Sequence, residues 1–225
     1  MSVNVCGTPG ERELAAIRAV GCSEKVSADE LFVFDVELCD DRVDRDGERF
    51  DAETLREFAP MFVGKTGIFD HEWSAKGQTA RLFECEAVEV GDGAGGADGC
   101  AYGGSSVGRR TVLRGRAYML CAGNEQLIRE IEAGIKREVS VGVAVRERRC
   151  SICGGVGGGC GHVAGREYGG VKCVRVLHGA ADVYEWSFVA VPAQKGAGIV
   201  NREALTAYSM GRRTDKNRQY KTGER

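Results

Sequence analysis

The chain has 225 residues, of which 43% are hydrophobic and 28% charged, with a formal net charge of -2 at pH 7. That length suits one substantial domain with appendages, the composition is that of a soluble globular protein, and the near-neutral charge gives no argument for a nucleic-acid or membrane partner of the whole molecule. No stretch approaches the roughly 18 uninterrupted apolar residues of a membrane span, and residues 1–20 lack the basic start and apolar centre of a secretory signal, so the ten cysteines are expected in a reducing compartment, as free thiols or metal ligands.

Residues 1–28 are polar and mixed, with a short helix expected at 11–20, and read as a lead-in. Residues 31–38 are rich in β-branched and aromatic side chains and predict a strand; the Asp- and Gly-rich residues 39–47 predict a turn. Asp51 is the N-cap of a short helix over 51–58 that should stop before Pro60. A brief strand over 67–71 ends at His71. Strands are expected at 82–90 and 111–120, joined by a glycine-rich loop at 91–108 with too little apolar content to repay the entropy of ordering. Leu127, Ile128 and Ile131 have helical spacing, and Gly134 ends that helix. Strands at 137–145, 171–177 and 183–191 follow, the first two separated by a cysteine-rich excursion over 150–173. The order does not alternate as βαβ. It predicts a mainly β protein with peripheral helices (α+β), its strands forming a closed or nearly closed antiparallel barrel. The domain would span 29–197. The basic tail, 198–225, carries seven Arg and Lys residues against three acids beyond residue 200 and reads as disordered.

Two-residue periodicity makes the strand at 137–145 informative. Val139, Val141, Val143 and Val145 share one face, and Ser140, Gly142 and Ala144 the other. The valine face should be core. The bare face, with a hydroxyl beside a glycine, leaves room for a substrate backbone and for main-chain N–H groups to receive an oxyanion; it equally suits a small residue packed on a neighbouring element. Histidine occurs at 71, 162 and 178 only. His71, in Asp70-His71-Glu72-Trp73, is the candidate base for Ser140, because a neutral imidazole suits proton transfer from a hydroxyl. The group orienting its other nitrogen is Glu185, Asp182, Asp70 or His178. Glu185 stands out as a carboxylate in an otherwise apolar strand, a costly placement unless paired.

Cys150, Cys153, Cys160 and His162 fall within thirteen positions, in a Cys-x-x-Cys pair followed by Cys-x-His across a glycine loop. That spacing predicts a tetrahedral Cys3His zinc site with a structural role, because four protein ligands leave no open position. An insertion with so little apolar content needs such a staple to be ordered. Cys173 is a substitute ligand.

Three segments in this order resemble the prohead (capsid-maturation) serine proteases of tailed phages. They are Asp70-His71-Glu72; the run from Gly134 through Val139-Ser140-Val141-Gly142; and Glu185-Trp186-Ser187 leading to Val191-Pro192-Ala193. The turn at 41–47 followed by Phe50-Asp51 and a helix also fits, so that the likeness covers roughly residues 30–197. The resemblance implies a barrel related to herpesvirus assemblin, with Ser140 as nucleophile, His71 as base and Glu185 as orienting residue. It implies an endopeptidase acting on scaffold and capsid proteins, and on itself, inside the procapsid in the host cytoplasm, with a homodimer as a possible assembly. Assemblin-type enzymes use a second histidine as third member, which keeps His178 in view. The rival reading is a non-enzymatic, zinc-stapled module that binds capsid or scaffold proteins. A zinc hydrolase or deaminase needs an open coordination position and a His-x-Glu base, which His71-Glu72 does not supply.

Overall fold

In the computed structural model, which describes residues 6–21, 23–91 and 109–200, the apolar runs become the strands β1 (Cys6–Gly7), β2 (Leu31–Asp40), β3 (Glu48–Phe50), β4 (Thr66–Phe69), β5 (Ala80–Gly91), β6 (Arg109–Leu120), β7 (Val139–Cys150), β8 (Glu167–Tyr168), β9 (Val171–Lys172), β10 (Arg175–Phe188) and β11 (Gly198–Val200). Among them lie the helices α1 (Glu11–Gly21), α2 (Ala52–Phe62) and α3 (Glu125–Glu132). The described residues are thus mainly β, with three α-helices. The glycine-rich loop and the tail beyond residue 200 lie outside the described residues.

One sheet runs in the order β1-β2-β6-β5-β4-β10-β3, with β11 also on β2 and β7 also on β10; β8 and β9 form a separate ribbon. The sheet is mixed, because β10 runs parallel to β3 and to β4, and no closed barrel is found among the described residues. The parallel pairs depart from the purely antiparallel barrel expected. β3 and β4 reach β10 through distant parts of the chain, and connections of a dozen or more residues permit parallel pairing, so nothing local fixed their direction.

Every position of β2 is buried. Phe32, Phe34, Val36 and Leu38 enter the main core with Leu55, Phe58, Phe62, Leu82, Leu113 and Trp186, each such side chain contributing about 1.5–3 kcal/mol. On the other face the buried Asp35 and Glu37 are paired across the ladder, Arg116 Nε with Asp35 Oδ1 at 3.1 Å and Arg114 Nη2 with Glu37 Oε1 at 2.8 Å, as buried charges must be. Arg116 also pairs with Glu13 of α1, and Ile17 packs with Leu31, Val33 and Phe83. The segment expected to be a lead-in therefore contributes a helix and β1 to the fold. The domain also runs past residue 197, since β11 pairs with β2.

Asp51 caps α2 as expected, its carboxylate accepting from the Thr54 amide at 2.6 Å. The helix does not stop before Pro60 but continues to Phe62. Proline forfeits one backbone bond, and burial of Phe58, Ala59 and Phe62 on the sheet offsets it. The two strands expected at 171–177 and 183–191 are rearranged. β10 is continuous from Arg175 to Phe188, with irregularities between Ala180 and Asp182 and between Val183 and Glu185. The second of these places Val183 opposite Val143 and Glu185 opposite Gly142, so Val183 is in the core and does not share the face of Glu185.

Candidate functional site

At its C-terminal end β10 lies between β4 and β7. Trp186, Ser187 and Phe188 pair with Gly67, Ile68 and Phe69 on one side, and with Val141, Ser140 and Val139 on the other. Trp186, Phe188 and Val139 are core. Ser187 and Glu185 therefore occupy the opposite face, together with Ser140 and Gly142, their cross-strand partners. Directly opposed side chains in an antiparallel pair have Cβ atoms about 4.5–5.5 Å apart.

The chain leaves β4 at Phe69 and turns sharply. Asp70 and His71 have φ of 50° and 56°, the only described non-glycine residues with positive φ, each costing about 1–2 kcal/mol. The turn is pinned to β10: the Asp70 amide donates to Phe188 O at 3.0 Å, and the His71 amide to Ser187 Oγ at 3.1 Å. The His71 ring is thereby laid against Glu185, Nδ1 to Oε1 at 2.8 Å. The Glu185 side chain is 4% exposed and the His71 side chain 40%. Ser187 Oγ donates to the second carboxylate oxygen, Oε2, at 2.6 Å, so both oxygens of this buried acid have partners, as burial requires. An ionised carboxylate only accepts, so it selects the tautomer with the proton on Nδ1 and leaves Nε2 a lone pair. Imidazole, carboxylate and the Ser140 hydroxyl share one face of the sheet.

Gly142 has a different use from the one expected. A Cβ built there would lie 2.1 Å from Glu185 Oε1: the space that its missing side chain leaves is filled by the carboxylate, not held for a substrate. His178 pairs with Asp51 at the start of α2 and Asp182 accepts from its neighbour's amide, so Glu185 is the residue that meets His71. A cleft of ≈ 800 Å³ opens along β7, lined by Ser140, Val141, Val143, Tyr184, Arg148 and the Val156–Gly158 turn among others. Beside the His71 turn, the exposed Trp73 packs on Tyr184 with ring centroids 5.3 Å apart.

At the far end of the β7–β10 hairpin, Cys150, Cys153, Cys160 and His162 offer ligand atoms that all lie within 4.8 Å of one another, and the cysteines are free thiols. The cluster can hold a metal ion. The Cys-x-x-Cys turn closes tightly, the Gly154 amide donating to Cys150 O at 2.8 Å with Gly154 at φ 71°. His162 Nδ1 is buried without a hydrogen-bond partner, as a metal-facing nitrogen would be in the absence of the ion. Cys173, fully buried, lies with its sulfur 3.7 Å from that of Cys150, close to the edge of about 3.8 Å between sulfurs placed tetrahedrally 2.3 Å from one ion. The Arg175 guanidinium donates to Cys160 Sγ at 3.5 Å and holds that thiol down to about 6. The following segment folds back through β8 and β9, joined by Gly169 and Gly170, both at positive φ, as a two-residue hairpin turn requires.

Sequence reasoning picked out His71, Ser140 and Glu185; the structure brings His71 and Glu185 into contact and places Ser140 on the same face by its register opposite Ser187. It passed over Ser187, although a hydroxyl two residues from the acid on the same strand was the available signal. No protein-family model, curated protein or solved structure matches the chain.

Proposed function

We propose that this chain is a serine endopeptidase of the prohead-protease type, with Ser140 as nucleophile, His71 as general base and Glu185 as the group that orients the imidazole. The observation that carries the reading is the 2.8 Å contact between His71 Nδ1 and Glu185 Oε1, formed on the face that also bears Ser140. The ring's free Nε2 takes the Ser140 proton as the hydroxyl attacks a peptide carbonyl, and then delivers it to the departing amine. Water, activated in the same way, releases the acyl group from Ser140. Glu185 holds the ring in place and stabilises the imidazolium. Trp73 and Tyr184 offer apolar surface to a substrate side chain. The pairing of β11 with β2 and the bridge between Glu138 and Gly198 support a nearly closed barrel of the herpesvirus-protease type. The resemblance supplies the substrates, scaffold and capsid proteins within a procapsid.

The cysteine cluster takes Zn²⁺ in a structural role, held by Cys150, Cys153, Cys160 and His162. It staples an insertion whose own apolar content is slight and which ends at β10. A second reading, a metal-stapled module that binds capsid or scaffold proteins without cleaving them, is favoured by one observation: the cleft along β7 reaches Ser140 but is not lined by His71 or Glu185. A fluorophosphonate probe separates the two. Labelling at Ser140, lost in Ser140→Ala and in His71→Ala while the near-UV spectrum is kept, is the expected outcome. A folded wild-type protein that takes no label overturns the protease reading.

A further inference from the structure

Where β4 ends, its ladder with β10 ends too. The last backbone bond is from the Asp70 amide to Phe188 O, and the next amide, that of His71, has passed beyond the reach of the regular pairing. Its acceptor is a side chain, Ser187 Oγ, at 3.1 Å. The same hydroxyl donates its proton to Glu185 Oε2 at 2.6 Å, and Glu185 returns to His71 through Oε1 and the ring Nδ1. These three contacts close a ring through four groups: base backbone, serine hydroxyl, carboxylate, base side chain. A hydroxyl has one donor and can accept twice, so one oxygen meets both demands. Ser187 is wholly buried and Glu185 is 3% exposed, so water has little access to the bond between hydroxyl and carboxylate.

We infer that Ser187 is a positioning residue for acyl transfer: it fixes the backbone entry of His71 and the rotamer of Glu185 together, so that the imidazole is presented to Ser140 already oriented. The inference rests on the protease reading. A purely structural role is the alternative. In that case loss of the hydroxyl would lower stability while the folded enzyme kept its rate. The left-handed pair Asp70–His71 argues against this alternative, because a strained turn persists where its surroundings over-determine it, and such strain gathers at functional sites.

The test uses the full chain and saturation kinetics of a fluorophosphonate, which reports nucleophile activation without a peptide. Ser187→Ala should lower the maximal labelling rate about 100-fold, the effect of misplacing a reacting group by roughly 1 Å, with the half-saturating probe concentration unchanged within about twofold, measured below the unfolding transition of both proteins. Ser187→Thr and Ser187→Val match one another in shape and differ in the hydroxyl; threonine should label at least about tenfold faster than valine, and this pair carries the comparison if the alanine protein does not fold. Equal rates for alanine and wild type, or for valine and threonine, overturn the positioning role and leave Ser140 standing as nucleophile. Absence of label on wild-type Ser140 removes the protease reading and the role of Ser187 with it.

Discussion

Replacing Gly142 with alanine probes the site without deleting any of its polar groups. The new Cβ would lie 2.1 Å from Glu185 Oε1, 3.0 Å from its Cδ and 3.4 Å from its Cγ. An ordinary C···O contact is about 3.3 Å, so the carboxylate oxygen must retreat by about 1 Å. That oxygen is the one bonded to His71 Nδ1. Two energies oppose each other in stability: overpacking costs about 1–3 kcal/mol, and removing a glycine from a strand returns about 0.5–1 kcal/mol. The net loss is therefore about 0–2.5 kcal/mol, equivalent to a fall in melting temperature of at most about 10 °C at the usual 2–4 °C per kcal/mol for a chain of this size. The rate suffers more. Displacing the group that orients the base by roughly 1 Å should slow fluorophosphonate labelling of Ser140 about 100-fold. Had Gly142 served to admit a peptide backbone, alanine would weaken peptide binding and spare the reaction with the small probe. Labelling within about threefold of wild type, with an unchanged melting temperature, would refute the claim that this glycine exists to seat the carboxylate.

The metal centre makes two further claims that can be measured. Gently purified protein should hold about one equivalent of zinc by native mass spectrometry, and less than about half an equivalent counts against the site; in cobalt-substituted protein, His162→Ala should lose the tetrahedral visible spectrum and Cys173→Ser keep it, the reverse pattern marking a four-sulfur site that includes Cys173. In metal-free protein whose near-UV spectrum shows the fold retained, Cys160 should be alkylated by iodoacetamide with a half-maximal rate near pH 6, because the Arg175 guanidinium holds its thiol at about 6: the reactive thiolate predominates above that pH and is lost as the pH falls through it. An ordinary rise through pH 8–9, or no change in Arg175→Gln, would show that the guanidinium does not act on this sulfur.

Local chemistry was the legible part of this sequence, and register was the illegible part. The strand cores, the cap at Asp51 and the ligand spacing from Cys150 to His162 all rest on neighbours within a few residues, and each reads directly. Cys173 is 23 residues from Cys150 and comes beside it only because Cys150 faces Arg175 across the β7–β10 hairpin; no spacing rule reports that. The parallel pairing of β10 with β3 and β4 is hidden for the same reason, and the helical continuation through Pro60 was decided by burial against the sheet.

Alternation failed at one instructive place. A strict two-residue period would put Val183 on the face of Glu185, whereas the irregularity between them sends Val183 to the core and leaves Glu185 facing Gly142. Glu185 was nevertheless identifiable, because the cost of an unpaired carboxylate in an apolar strand does not depend on which way the strand is phased. Gly142 was identifiable too, and for a reason that proved incomplete: a missing side chain signals that something else occupies its volume, without saying what. The glycine on one strand and the acid on the next are two halves of a single feature, a cavity and its filling, and only the pairing Glu185↔Gly142 joins them. A bare position and an expensive charge on strands joined by one hairpin are therefore best read as a pair, each answering the question the other raises.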